Sequence, residues 1–201
     1  ILLDENGNEL KEFNTVGKLC IQYPWPSIAR TIWGDHKRYI DTYFSAFENK
    51  YFTGDGAFKD KDGNYRITGR VDDVIIVSGH NLGTAPIEDA INEHELVAES
   101  AIVGFPHQIK GNALYGFITL KQEHENLDDI KKEINLLISK KIGPIAKLDK
   151  IQMTNGLPKT RSGKIMRRIL RNIASKQFDN LGDISTLLNP DVVKEIIDNS
   201  L

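Results

Sequence analysis

Three short segments of this 201-residue chain hold residue types that bind anions and sugar hydroxyls. The most charged is Leu157-Pro-Lys-Thr-Arg-Ser-Gly-Lys-Ile-Met-Arg-Arg168, a polar loop with one glycine that runs into a basic amphipathic stretch. Lys159, Arg161 and Lys164 can all face an anion there. The pattern predicts that a long helix starts near Lys164, so the ammonium would sit where free N–H groups and the helix dipole also favour negative charge. The loop is not of the Gly-x4-Gly-Lys type. No aromatic residue lies between Lys159 and Lys176 to stack on bases, which argues against a single-stranded nucleic acid as the anion.

The second segment is Thr53-Gly-Asp55. A carboxylate beside a glycine at a strand end can accept two hydrogen bonds from a vicinal diol such as a ribose, and the glycine lets a ligand approach the backbone. A Gly-Asp pair is also an ordinary turn. The third segment is Gly69-Arg-Val-Asp-Asp-Val-Ile-Ile-Val-Ser-Gly-His80. Arg70 brings five donors and a permanent charge for a ribose hydroxyl or a phosphate. Asp72 stands where the β pattern gives way to a mixed one, a place suited to a hinge. Gly79, beside Ser78, has no side chain, so a thin substrate arm can pass close to the backbone. Turn and hairpin chemistry would account for each of these residues taken alone.

The elements that must position these segments are legible from periodicity. Residues 1–23 read as strands with a turn at Asp4–Asn8, and residues 35–47 as a helix whose Tyr39, Tyr43, Phe44 and Phe47 form a core-facing stripe. Tyr51–Phe58 and Tyr65–Thr68 read as a hairpin about Lys61-Asp-Gly-Asn64. After Gly69–Asp73 come a short buried strand at Val74–Val77, a helix opening near Thr84-Ala-Pro86, and strands at Ala101–Phe105 and Leu114–Leu120. An amphipathic helix follows over Leu127–Ile138, then a short strand at Ile151–Met153. Residues 177–201 read as a loosely packed tail with a last short helix near Val192–Ile197. The expected class is α+β: a β-rich piece over 1–71, then a small mixed α/β domain with its tail over 72–201.

Composition narrows the partners. Net charge is -2, so no polyanion is favoured by bulk charge. The distribution is uneven: residues 147–176 hold nine Lys or Arg against Asp149, and 177–201 hold five acids against Lys194. Such a run fits a phosphate-facing surface, and equally a solvated helix face. No apolar run approaches the length that spans a bilayer. The single cysteine, Cys20, sits in an apolar strand-like run and is expected to be a buried structural thiol in a reducing cytoplasm. The chain opens on Ile1 in mid-pattern, as a C-terminal piece of a longer protein would.

Together, in order and spacing, the three segments resemble the C-terminal core motifs of the ANL superfamily of adenylate-forming enzymes, which includes acyl-CoA synthetases, peptide-synthetase adenylation domains and luciferases. The resemblance covers essentially the whole chain and is nearest to the acetate-activating CoA ligases. Pro24-Trp-Pro-Ser-Ile-Ala-Arg30, Trp33-Gly-Asp35, Ile109-Lys-Gly111, Ile142-Gly-Pro144, Lys164-Ile-Met-Arg-Arg168 and, in the tail, Leu181-Gly-Asp183 with Leu187 carry it. The tail is therefore expected to be part of the folded unit.

The resemblance implies a ligase that joins acetate to CoA. A carboxylate attacks the α-phosphate of ATP, giving an acyl-adenylate and pyrophosphate, and the CoA thiol then displaces AMP. It assigns Lys164 to catalysis of the first step, Asp55 and Arg70 to the ribose of ATP or AMP, Asp72 to the hinge, and Ser78 with Gly79 to the CoA path. Acylation of Lys164 by a protein acetyltransferase, reversed by a deacetylase, would switch the enzyme off. Where many relatives have an arginine for the ATP phosphate, this chain has Asn81, which brings a hydrogen bond and no charge. Ser139 likewise replaces an arginine that meets CoA, with Lys140 and Lys141 close by. Some relatives hold a metal ion at the positions of Asn92, His94 and Val97. The remaining ligands of ATP, Mg²⁺ and acetate are expected upstream of Ile1, so this chain alone is expected to have negligible activity. Propionate or another short acid in place of acetate, or a catalytically silent regulatory module of the same fold, are the alternatives. Retention of Asp55, Arg70 and Lys164 together argues against the silent module. No nucleic-acid or membrane partner is expected.

Overall fold

The computed structural model describes residues 1–201, which form two compact units, Ile1–Val74 and Ile75–Leu201. Both mix helices with largely antiparallel sheet, so the class is α+β, as the alternation of periods predicts.

The first unit is a four-stranded antiparallel sheet in the order β1-β2-β3-β4. Its strands are β1 (Leu2–Leu3), β2 (Thr15–Ile21), β3 (Tyr51–Lys59) and β4 (Tyr65–Arg70), with helix α1 (His36–Tyr43) between β2 and β3. Asp35 caps α1 by accepting from the Arg38 N–H at 3.0 Å. The expected aromatic stripe packs as core. Tyr39 and Phe47 are buried, Tyr43 stacks on Tyr51 with ring centroids 4.8 Å apart, and Phe47 meets Phe52 edge-on. Cys20 is buried against Leu3 and Phe47, and burial pushes its thiol pKa up, as fits a structural cysteine.

β4 runs two residues further than its sequence pattern suggests, because Asp55 and Gly56 of β3 pair with Arg70 and Gly69. A bulge at Gly56–Ala57 absorbs the irregularity. A single 3-10 turn, Val71–Asp73, follows.

The second unit is a five-stranded sheet between two pairs of helices. Strands β5 (Ile75–Val77) and β6 (His80–Leu82) form a hairpin. The long strands β7 (Val97–His107) and β8 (Gly111–Leu120) form a second hairpin, and β9 (Lys150–Met153) runs parallel to β8. Helices α2 (Thr84–Asn92) and α3 (Leu127–Lys141) cover one face. Helices α4 (Arg167–Ala174) and α5 (Asp191–Asp198) cover the other.

Period-two alternation in β8 explains this layering. Leu114 and Ile118 join Ile87, Ile91, Ile130, Ile134 and Ile138 in one core. Tyr115 and Phe117 join Ile169, Leu170, Ile173, Val193 and Ile196 in the other. A sheet buried on both faces reads as a continuous apolar run, which is what Ala113–Leu120 looks like in the sequence. The tail is thus integral: α5 supplies Val193 and Ile196 to the second core, and the Gln152 amide donates to the Ile196 carbonyl at 2.9 Å. No helix is long and apolar enough to cross a membrane.

Candidate active site

In the first unit Arg70 lines a cleft of about 360 Å³ together with Tyr43, Thr53, Gly54 and Asp72 among others. Pairing of β3 with β4 sets Asp55 opposite Arg70, and their side chains lie 3.7 Å apart. Arg70 is fixed by more than Asp55. Its Nε donates to Asp72 at 3.0 Å and its Nη1 to the Thr53 carbonyl at 3.3 Å. Partial burial works against the guanidinium charge, but Asp72, Asp55 and Asp73 outweigh it and hold its pKa above the ordinary value.

Gly54 has a reason the sequence alone does not give. Its φ is +79°, and a Cβ there would fall 2.7–2.9 Å from three atoms of the Arg70 guanidinium. The space above the glycine is taken by the arginine itself. Asp72 lies in the 3-10 turn and is tied to Arg70.

In the second unit, Ser78-Gly79 is the two-residue turn of the β5–β6 hairpin, with φ of +49° and +81°. Two positive φ values match the primed turns that suit hairpin twist. The Ser78 N–H donates to the Lys110 carbonyl at 3.0 Å, which joins the turn to the β7–β8 loop. Nothing lies within 4 Å of a Cβ placed on Gly79, so its surface is open. Gly79→Ala is expected to lower stability by about 1 kcal/mol through backbone strain alone, read as a shift in the urea midpoint. Strand β6, unseen in the sequence pattern, carries Asn81 opposite Ile76 and exposed.

Lys164 does not begin a helix. Residues 158–166 form a tight hairpin, and α4 starts three residues later, at Arg167. Lys159 pairs with Ile165, the Thr160 N–H donates to the Lys164 carbonyl at 2.8 Å, and the Lys164 N–H donates to Thr160 Oγ1 at 3.1 Å. Thr160 thus serves as both backbone partner and side-chain cap, which the helical period of Ile165, Ile169 and Ile173 conceals. The helix-dipole contribution expected for Lys164 therefore falls away. What remains is an exposed ammonium, in no ion pair, on the return arm of a braced turn.

The basic run is also less uniform than its composition implies. Lys159 is in an ion pair with Glu99 at 2.5 Å, so it does not face an incoming anion. Arg167 reaches Glu88 at 2.6 Å. Lys150 lies over the rings of Phe105 and Tyr115 and donates to the Leu201 carbonyl. Arg161 and Lys164 are the exposed cations of the hairpin.

At the end of α2, the Asn92 carbonyl Oδ1 accepts from Ser100, and Val97 opens β7. His94 is engaged at both ring nitrogens: Nδ1 accepts from the Leu96 N–H at 3.3 Å and Nε2 lies 3.1 Å from Glu133. No group of three or more His, Cys, Asp or Glu side chains is placed to hold a metal ion. A cation ligated by the His94 ring would have to draw it away from Glu133. Near Ser139, Lys141 pairs with Glu93, which leaves Lys140 exposed and uncommitted.

No motif contains Glu88, and Arg167 falls only inside the Lys164–Arg168 pattern. Glu88 is buried on α2, its Oε1 accepts from the Ile102 N–H at 2.8 Å, and its Oε2 accepts from Arg167. A signal was available: Thr84, Ile87, Glu88 and Ile91 have the spacing of one buried helical face.

Residues 86–164 match the family described as AMP-binding enzyme C-terminal domain. Along nearly its whole length the chain is similar to acetyl-CoA synthetases. It is 56% identical over 200 residues to that of Leptospira biflexa, covering 99% of this chain and 31% of the relative. It is 57% identical over 196 residues to that of Marinobacter nauticus, covering 98% of this chain and 30% of the relative. The chain thus spans about a third of the length of the curated relatives it matches. The acetoacetyl-CoA synthetase of Streptomyces lividans has the same fold, with a TM-score of 0.82 at 23% identity over 98% of this chain and 30% of that one. An anthranilate CoA ligase solved with anthranoyl-AMP aligns with a TM-score of 0.77 at 28% identity, over 88% of this chain and 33% of that one.

Proposed function

We propose that this chain is the C-terminal part of an AMP-forming acetate:CoA ligase. It would supply Lys164 to adenylation, Asp55 and Arg70 to the ribose, and Ser78 and Gly79 to the path of CoA. The observation that carries this reading is the 52–57% identity to acetyl-CoA synthetases across the chain, with all three motif segments inside the matched span.

The chemistry of the residues supports it. In adenylation, negative charge builds where the carboxylate attacks the α-phosphate, and a fixed ammonium is the group that stabilises it. Lys164 is free for that task. Asp55 is an acceptor for ribose hydroxyls, and Arg70, with Nε and Nη1 occupied, offers Nη2 as donor. Asp72 would act as the hinge between half-reactions. Asn81 would contribute a hydrogen bond and no charge to phosphate binding. Mg²⁺ and most of the ATP and acetate contacts would come from residues outside this chain, as would acyl selectivity, and a cation at Asn92, His94 and Val97 would be a separate site. The setting would be cytoplasmic, with Lys164 as the target of an acetyltransferase and deacetylase.

The full-length enzyme tests it directly. Acetate should support ATP–pyrophosphate exchange better than propionate, and this chain alone should show none. Exchange supported by neither acid would overturn the reading. A variant tests the ribose cleft: Gly54→Ala should push the Arg70 guanidinium aside and raise KM for ATP about 10-fold, with KM for CoA unchanged.

A further inference from the structure

The hairpin that carries Lys164 is held from outside by the tail. The Leu188 N–H donates to the Lys159 carbonyl at 2.8 Å, and Thr160 pairs with Leu187. Asn189 completes the contact. Its Oδ1 accepts from the Lys159 N–H at 3.1 Å and its Nδ2 donates to the Leu157 carbonyl at 2.9 Å. The residue between those two groups is Pro158, which has no N–H and cannot join a ladder. The carboxamide of Asn189 therefore spans the gap that the proline leaves, one donor and one acceptor matched to one acceptor and one donor.

The anchor behind Asn189 is firm. Leu187 is buried in the second core, and α5, which begins two residues after Asn189, buries Val193 and Ile196. On the other side the constraint is passed on in two steps. Asn189 fixes Leu157–Lys159, Thr160 follows, and Thr160 holds Lys164 through its N–H and its hydroxyl. Lys159 is pinned a second time by its ion pair with Glu99 of β7.

We propose that Asn189 is a positioning residue for adenylation: it fixes the height of the Lys164 hairpin over the domain, and hence where the ammonium arrives. The proposal rests on the adenylation role given to Lys164 above. Asn189 touches no substrate. It acts through the hairpin, so its loss should leave substrate binding intact and lower the rate of one half-reaction only.

The test uses the full-length enzyme with Asn189→Ala, Asn189→Asp and, in parallel, Lys164→Ala. Misplacement of a catalytic group by about 1 Å costs on the order of 100-fold. Asn189→Ala should therefore lower kcat for acetate-dependent ATP–pyrophosphate exchange about 10- to 100-fold. The KM values for ATP and acetate should stay within about threefold, as should thioester formation from supplied acetyl-adenylate. Asn189→Asp keeps the acceptor for the Lys159 N–H and should recover part of the loss. Exchange within about threefold of the parent in Asn189→Ala would overturn the proposal. So would an equal fall in both half-reactions accompanied by a lower melting temperature, since that marks a purely structural role. If Lys164→Ala keeps full exchange, the role of Lys164 fails and the proposal with it, an outcome distinct from failure of Asn189 alone.

Discussion

Lys164→Ala in the full-length enzyme is expected to lower acetate-dependent ATP–pyrophosphate exchange by about 100- to 1,000-fold, the range found when one preorganised donor to a developing anion is removed. Thioester formation from supplied acetyl-adenylate should change by less than about threefold. The asymmetry is the informative part. The lysine is exposed and unpaired, so its truncation leaves no buried charge and opens no cavity. The hairpin below it is held by backbone groups and by Thr160, none of which the substitution removes. A loss of rate therefore reports the ammonium itself. Lys164→Arg should not restore the rate, because a planar guanidinium on a longer stem does not place a point charge where an ammonium does. If both half-reactions survive Lys164→Ala, the ammonium has no part in adenylation. Acylation of Lys164 would act as alanine does, by removing the charge.

The sequence makes much of this visible, and it fails in a consistent way. Helix and strand periods locate α2, α3, β7 and β8, because those elements bury long regular faces. The periods mislead at Lys164. Ile165, Ile169 and Ile173 continue a helical spacing backward past the true start, while the structure spends Ile165 on a bridge to Lys159. The two-residue hairpin at Ser78-Gly79 has its turn signal, but its second strand, His80–Leu82, is too short and polar to register. Composition misleads about the basic run for a different reason. Charge counts do not show which cations are already paired, and Glu99 and Glu88, which neutralise Lys159 and Arg167, lie 60 or more residues away in sequence. The same distance hides Asn189, whose partners at Leu157 and Lys159 belong to a segment 30 residues upstream.

Arg167→Met is expected to destabilise the second unit by about 2–4 kcal/mol, because it takes the Arg167 guanidinium away from a buried carboxylate. Glu88 is 8% exposed and is set between α2, β7 and α4 by the Ile102 N–H and the Arg167 guanidinium. Removing one partner of such a pair costs more than the pair contributes, since the remaining charge keeps its desolvation penalty and loses its compensation. Arg167 keeps about a quarter of its side chain in solvent, which holds the figure below that of a fully buried pair. Its Nε is buried without a partner, so part of its own hydrogen-bonding capacity is already forgone. The double variant Glu88→Met with Arg167→Met should therefore recover most of the loss, whereas independent sites would add. Urea unfolding of the four proteins, read as a double-mutant cycle, measures this. A double variant as unstable as the sum of the singles would show that the two side chains do not act as a pair. Because α4 follows directly from the Lys164 hairpin, the same cycle run on adenylation rates separates two roles. A pair that only holds α4 in place should lower exchange in proportion to the unfolded fraction, and stabilising the protein with an excluded osmolyte and saturating ATP should remove the defect. A residual defect under those conditions would mean that Glu88 and Arg167 also set the geometry of the hairpin.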